Sequence, residues 1–320
     1  MRYQSLSKRK AHFKTFTGLS VEEFDDLITA TRQDWENLRI TRLIEGNPHR
    51  KRDIGAGRKK ILNAQEDQIL LTVMWLRTYS AYAMFEYLFC IDESTVQRTI
   101  AQTLPLLQSK FLLPFPDPRK QKGRKKITTW EQMQKAFPGI DEVRDILLGD
   151  ATEQKVPRPQ KKTKRKKYHS GKKKTFTIKT QLIVNGQGLF ADISQSIPGR
   201  THDYKLFKAS GPPRSIPKGI PLYLDSGYQG VNKDFPDLNA LIPFKRNRSG
   251  KQLTRSQKIF NTKQRKTRVP VEHSISRIKK YKALAETYRN SLQNYNMAFK
   301  FVCNLVNFRT LHRMTAAVTG

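Results

Sequence analysis

The sequence predicts an all-α N-terminal region followed by an α/β domain, a mixed five-stranded sheet with helices on its faces. Three observations predict this. Apolar residues recur at helical spacing through about residue 112. Past about residue 145 they gather into short apolar or alternating runs of strand length. Helical spacing then returns after Val271 and runs toward the C-terminus. The expected boundaries are residues 1–112 for the helical region, 113–140 for a connector and 141–314 for the α/β domain.

Ser20-Val21-Glu22-Glu23 reads as a capping box that opens a helix reaching about Asn37. Residues 46–60, rich in Gly, Pro, Lys and Arg, read as an exposed arm. A second helix starts near Ala64, with Ile69, Leu70, Val73, Met74 and Leu76 apolar. A short helix over Ala81–Phe89, a turn at Cys90-Ile91-Asp92 and a further helix follow. The last is capped by Asp92 or Ser94 and interrupted or restarted at Pro105. It turns Val96, Ile100 and Leu104 inward and Thr95, Gln97, Arg98 and Gln102 outward. Helix, tight turn and polar-faced helix make a helix-turn-helix over about residues 61–112, although an ordinary helical hairpin has the same pattern.

The strands expected next are Ile146–Asp150, Thr175–Val184, Leu189–Ile197 after an Asn185-Gly186 turn, Ile220–Asp225 and Ala240–Phe244. Helices are expected after His202-Asp203, around Glu272, and over a last segment with Tyr295, Phe299, Val302, Leu305 and Val306 inward.

Charge sets the class of partner. Across 320 residues, 61 Lys and Arg face 27 Asp and Glu, a formal net charge of +34. Such an excess says nothing about fold but predicts strong attraction to phosphate, hence to double-stranded DNA. It favours DNA contact by the helix-turn-helix over the plain hairpin. No apolar run approaches membrane-spanning length, so no membrane partner is expected. Cys90 and Cys303 form no C-x-x-C pair, which argues against a zinc site or a disulfide framework. Both are expected in the core of a protein in a reducing cytoplasm, nucleoid-associated if bacterial. Trp35, Trp75 and Trp130 are expected as core or interface anchors.

Against this basic background three acids stand out. Asp150 ends the run Ile146-Leu147-Leu148-Gly149, and Asp225 ends Pro221-Leu222-Tyr223-Leu224. Glu272 opens a basic helix. If the two strands are parallel neighbours, their carboxyl ends put Asp150 and Asp225 side by side. Hard divalent cations take oxygen ligands, and a pair of them serves phosphodiester chemistry. Asp203 competes with Asp225 as second acid, but it opens a helix after a loop, which suits a cap. Taken singly, each acid also has a plain reading as a turn cap or a surface ion-pair partner. The run Lys155–Lys174 holds eleven Lys or Arg and no acid, and reads as an elongated loop that clamps DNA backbone.

The residues around the acids resemble a family. Gly149-Asp150-Ala151-Thr152-Glu153, Arg158-Pro159 and Tyr168-His169-Ser170-Gly171-Lys172-Lys173-Lys174 come first. Pro198-Gly199-Arg200-Thr201-His202-Asp203, Asp225-Ser226-Gly227-Tyr228-Gln229-Gly230, and Arg268 with Val271-Glu272 follow. In this order they resemble DDE transposases of the bacterial insertion-sequence type related to Harbinger elements. The resemblance implies a ribonuclease H-like catalytic domain with Asp150, Asp225 and Glu272 as catalytic metal ligands for two Mg²⁺ or Mn²⁺ ions. It implies cleavage at element ends and transfer of the released 3′-hydroxyl to target DNA. Cutting two ends in concert implies a dimer or larger assembly on DNA. Arg268, Lys279, Lys172, Lys173, His202 and Tyr228 are expected near phosphate, and Ser94, Thr95, Gln97 and Arg98 at the groove. Where the related pattern has Tyr, this chain has Arg265. The competing functions are a non-catalytic DNA-binding derivative and a metal-dependent nuclease without strand transfer.

Overall fold

The structure is a computed structural model. It describes residues 1–46, 49, 61–110, 146–210, 216, 219–246 and 252–318. The expected connector, Trp130 and most of the basic arm lie outside the described residues. The described residues of Met1–Phe111, Lys280–Glu286 and Gln293–Gly320 form one compact unit. Those of Leu112–Lys279 and Thr287–Leu292 form another.

The first unit begins with α1 (Tyr3–Leu6), α2 (Lys10–Thr17) and α3 (Val21–Glu45). The capping box is present: Glu23 N–H donates to Ser20 Oγ, and Ser20 N–H donates to the Glu23 carboxylate. α3 runs a further two turns past the expected Asn37. Next come α4 (Gln65–Thr78), α5 (Tyr82–Phe89) and α6 (Glu93–Lys110). Every apolar residue expected inward on α4 and α6 is buried. Asp92 is the cap of α6: its Oδ1 accepts from Thr95 N–H at 2.9 Å and its Oδ2 from Thr95 Oγ1 at 2.8 Å. Pro105 does not break α6 as expected. One lost backbone bond is outweighed there by the burial of Leu104, Leu106 and Leu107. Cys90 is exposed rather than in the core, because it occupies the left-handed turn between α5 and α6.

In the second unit β1 (Leu147–Lys155) is followed by α7 (Lys162–Tyr168), β2 (His169–Ser170), β3 (Thr175–Asn185), β4 (Phe190–Ile193) and β5 (Ile197–Pro198). Then come α8 (Asp203–Ala209), β6 (Leu222–Tyr223), α9 (Val231–Asp234), β7 (Ala240–Leu241), α10 (Arg255–Thr267) and α11 (Val269–Lys279). The five expected strands are all present, with β2 and β5 as two-residue additions. β3 lies antiparallel between β1 and β4, while β6 and β7 continue parallel on the other side of β1. This is the ribonuclease H-like arrangement. Leu147, Ile183, Phe207, Leu222, Leu224 and Tyr228 form its core.

The basic run after β1 is not one open loop. It contains α7 and then β2, whose His169 and Ser170 pair with Phe176 and Thr175 of β3. The β3–β4 turn is governed by Asn185, whose Oδ1 accepts from Gln187 and Leu189 N–H groups. Its left-handed residue is Gly188, at φ +80°, not Gly186.

The C-terminal boundary differs from the expected one. Lys280–Glu286 and the chain from Gln293, which forms most of α12 (Leu292–Val318), pack with the first unit. Tyr281 is buried under the Arg77 guanidinium, 5.3 Å from its ring centre. Arg309 pairs with buried Glu23 at 3.2 Å. The apolar face of α12 was legible; its packing with the first unit, where Arg309 meets Glu23 of α3, was not.

Candidate active site

The sheet builds the site. β1 and β6 are parallel, with Leu147 opposite Leu222 and Leu148 opposite Tyr223. The same register, carried two residues on, sets Asp150 level with Asp225. Asp150 is not at the end of its strand, as expected. β1 continues to Lys155 because its ladder with antiparallel β3 runs its full length, while the parallel partner stops at Tyr223. Asp150 therefore stands just past the point where the β1–β6 pairing ends.

Asp225 caps the turn Ser226–Tyr228, its Oδ1 accepting from Gly227 N–H at 2.6 Å. A Cβ on Gly227 would lie 2.8 Å from Asp225 Oδ1 and 3.5 Å from Asp203 Oδ2. A side chain at this position would crowd the Asp225 carboxylate. Asp203 does not cap α8, contrary to expectation. His202 does, through its Nδ1 and the N–H of Tyr204 at 3.3 Å. This frees Asp203 to pair with Lys179 Nζ at 2.7 Å. Lys179 also donates to Thr201 O and lies 3.5 Å from Glu153 Oε1. Glu153 Oε2 accepts from Thr177 Oγ1.

Asp150 faces two demands. Burial raises its pKa, and Asp225 and Asp203 push the same way; Arg268 and the Ala151 N–H oppose them. Arg268 Nη2 lies 3.6 Å from Asp150 Oδ2 and donates to Gly149 O at 3.3 Å. Beneath lies Tyr228, edge-on to Phe207 at 5.7 Å. Burial and the three aspartates raise its pKa. Its hydroxyl has no hydrogen-bond partner among the described residues. Tyr228 is completely buried, so it supports the site rather than reaching DNA as expected.

Glu272 is carried on α11, which is fixed to the sheet at three points. Arg268, at the junction of α10 and α11, holds Gly149 and Asp150. Ser274 Oγ donates to Gly188 O at 2.7 Å. Lys279 Nζ donates to Gln154 Oε1 at 2.9 Å. Arg268 and Lys279 reach β1 from the two ends of α11. Glu272 itself is exposed. Among the described residues no three acids, histidines or cysteines form a group arranged to hold a metal ion. Asp225 and Asp203 lie near enough to Asp150 to disfavour its charge, but the three do not form such a group, and Glu272 does not close one.

The expected phosphate-facing residues divide. Lys172 and Lys173 are exposed in the turn before β3, and His202 is exposed. Arg268 is turned inward on Asp150. Lys279 is largely buried, and burial, with Lys173 nearby, lowers its pKa to about 8. On α6, Ser94, Gln97 and Arg98 are exposed and Thr95 is half-buried against Asp92. Sequence reasoning missed Lys179 and Glu153 as site residues. The available signal was Lys179, the one charge in the eleven-residue strand Thr175–Asn185. A lysine buried there requires anionic partners.

The three aspartates offer hard oxygen donors of the kind a divalent cation takes, and burial with the neighbouring carboxylates disfavours the Asp150 anion, although they are not arranged as a metal-binding group.

The family described as "DDE superfamily endonuclease" matches residues 149–307. The family described as "Helix-turn-helix of DDE superfamily endonuclease" matches residues 62–112. The chain is 28% identical over 309 residues to a probable transposase for insertion sequence element IS702 from Microchaete diplosiphon. That alignment covers 95% of this chain and 96% of the relative. No solved structure matches. By these two family matches and this relative, with the sheet order in accord, the chain belongs to the DDE-type transposases of insertion sequences.

Proposed function

We propose that the chain cuts double-stranded DNA at the ends of its element and joins the freed 3′-ends to target DNA, using Mg²⁺ or Mn²⁺. The observation that carries this reading is that the β1–β6 register, carried two residues on, sets Asp150 level with Asp225, with Asp203 also near Asp150. Asp150 and Asp225, with Glu272 from α11, would hold two cations. When bound, these supply activation of the attacking oxygen and charge stabilisation at the leaving oxygen.

The protein's own groups do the remainder. Arg268 steadies Asp150 and holds the Gly149 carbonyl. Lys172, Lys173 and Lys279 neutralise flanking phosphates, and His202 contacts the backbone through its exposed ring. In the helix-turn-helix, Ser94, Gln97 and Arg98 lie at the groove with Thr95 behind them, reading the element ends. Two ends cut together require at least a dimer on DNA.

The test is incubation of the intact chain with duplexes carrying the element ends, with and without Mg²⁺. Cation-dependent nicks and joined products are expected. Binding without nicks would leave a DNA-binding protein, and nicks without joined products a nuclease.

Lys279 adds a pH dependence. Its pKa lies below the ordinary lysine value, so it carries its charge below about pH 8 and loses it above. A nearby phosphate favours the charged form. Duplex affinity should therefore fall between pH 7 and pH 9, and Lys279→Gln should flatten that slope. Affinity measured across this range at fixed salt checks it.

A further inference from the structure

A second pocket lies at the far end of β1 from the carboxylates. Its volume is about 410 Å³, within the range of roughly 300–1,000 Å³ usual for small-ligand sites. Pro157, Pro159, Tyr168 and Tyr288 are among its walls, and Lys161 and Lys164 among its lining. Its parts are tied together. Tyr288 N–H donates to Lys155 O at 2.8 Å, which brings that segment beside the end of β1. Arg165 Nε donates to Pro159 O at 2.8 Å and fastens α7 to the proline segment. Tyr168, the last residue of α7, is held by the pairing of His169 with Phe176. Two prolines and these bonds leave the pocket's shape largely preset.

Among the described residues the lining contains no acid, and the chain around it, Lys155–Lys174, carries eleven cations. An aromatic and proline-walled cavity with lysines suits a ligand with a flat apolar face and an attached phosphate. Paired DNA hides its base faces in the stack, so an intact duplex offers only backbone to such a surface. We propose that this pocket binds one unpaired nucleotide of the DNA. Its base stacks against Tyr168 and the prolines, and its phosphates meet Lys161 and Lys164. Five residues of β1 separate Asp150 from Lys155, roughly 17 Å at strand rise, so this site is distinct from the carboxylates. The inference requires DNA binding but not the proposed cleavage and joining.

The test is the affinity of the intact chain, by fluorescence anisotropy without divalent cation, for three matched duplexes. One is fully paired, one carries a single unpaired nucleotide, and one carries an abasic residue at that unpaired position. About tenfold tighter binding to the unpaired nucleotide is expected, lost with the abasic residue. Tyr168→Ala should remove the preference while keeping affinity for the paired duplex, and Tyr168→Phe should retain it. Equal affinity for all three duplexes would overturn the proposal. So would a preference that survives the abasic substitution, which would report bending rather than base capture. These measurements involve no strand cutting, so absence of cleavage by the intact chain leaves the result readable.

Discussion

Asp225→Asn is expected to slow Mg²⁺-dependent strand cleavage by about a thousandfold or more while leaving duplex affinity unchanged. The asymmetry follows from the site. The asparagine keeps a carbonyl oxygen where Asp225 Oδ1 accepts from Gly227 N–H, so the turn Ser226–Tyr228 retains its cap. What disappears is one anionic charge beside Asp150 and Asp203, the charge a divalent cation requires. Duplex binding draws on the helix-turn-helix and the cationic surface, neither of which contains Asp225. Single-turnover cleavage set beside anisotropy on the same DNA measures both. Loss of affinity equal to the loss of rate would move Asp225 from the chemistry to the fold.

Lys179→Met should destabilise the protein by about 3–5 kcal/mol. Lys179 sits between Asp203 and Glu153, and its side chain and that of Glu153 are 10% and 7% exposed. Methionine fills the space but leaves two carboxylates facing each other without a cation. It also removes the donor to Thr201 O. The cost is that of stranding buried charge, and exceeds what the ion pairs themselves contribute. Urea unfolding, compared at the midpoint with an unchanged slope, checks it. A change under 1 kcal/mol would mean that water reaches Asp203 and Glu153 freely.

Much of the fold was legible because local patterns and tertiary structure agree. The reciprocal bonds of Ser20 and Glu23 follow from their spacing alone. The inward faces of α4, α6 and α12 follow from periodicity. The two apolar runs ending in Asp150 and Asp225 read as strands whose pairing the sequence left open; the β1–β6 register sets the two acids level. What escaped depends on distant parts of the chain. Asp203 read as a helix cap because its local context is a loop entering a helix. His202 takes that role, and the deciding partner of Asp203, Lys179, lies 24 positions earlier. Asp150 read as a strand end because the apolar run stops there. The antiparallel ladder with β3 carries the strand on through Thr152 and Gln154, polar residues buried within the sheet. Tyr228 read as a DNA neighbour from its place in Asp225-Ser226-Gly227-Tyr228, yet the turn that Asp225 caps folds its ring into the core. The apolar face of α12 promised burial without naming which unit would bury it.

Glu272 is where the central claim is most exposed, since two of the three proposed ligands meet in the sheet and the third does not close on them. Iron-directed backbone cleavage addresses this on the intact chain. Fe²⁺ replaces Mg²⁺, and peroxide generates hydroxyl radicals at the bound metal. Cuts near residues 150, 225 and 272 together, suppressed by excess Mg²⁺ and absent in Asp150→Asn, are predicted. Cuts near 150 and 225 with none near 272, or no Mg²⁺-suppressible cut at any of the three, would contradict it.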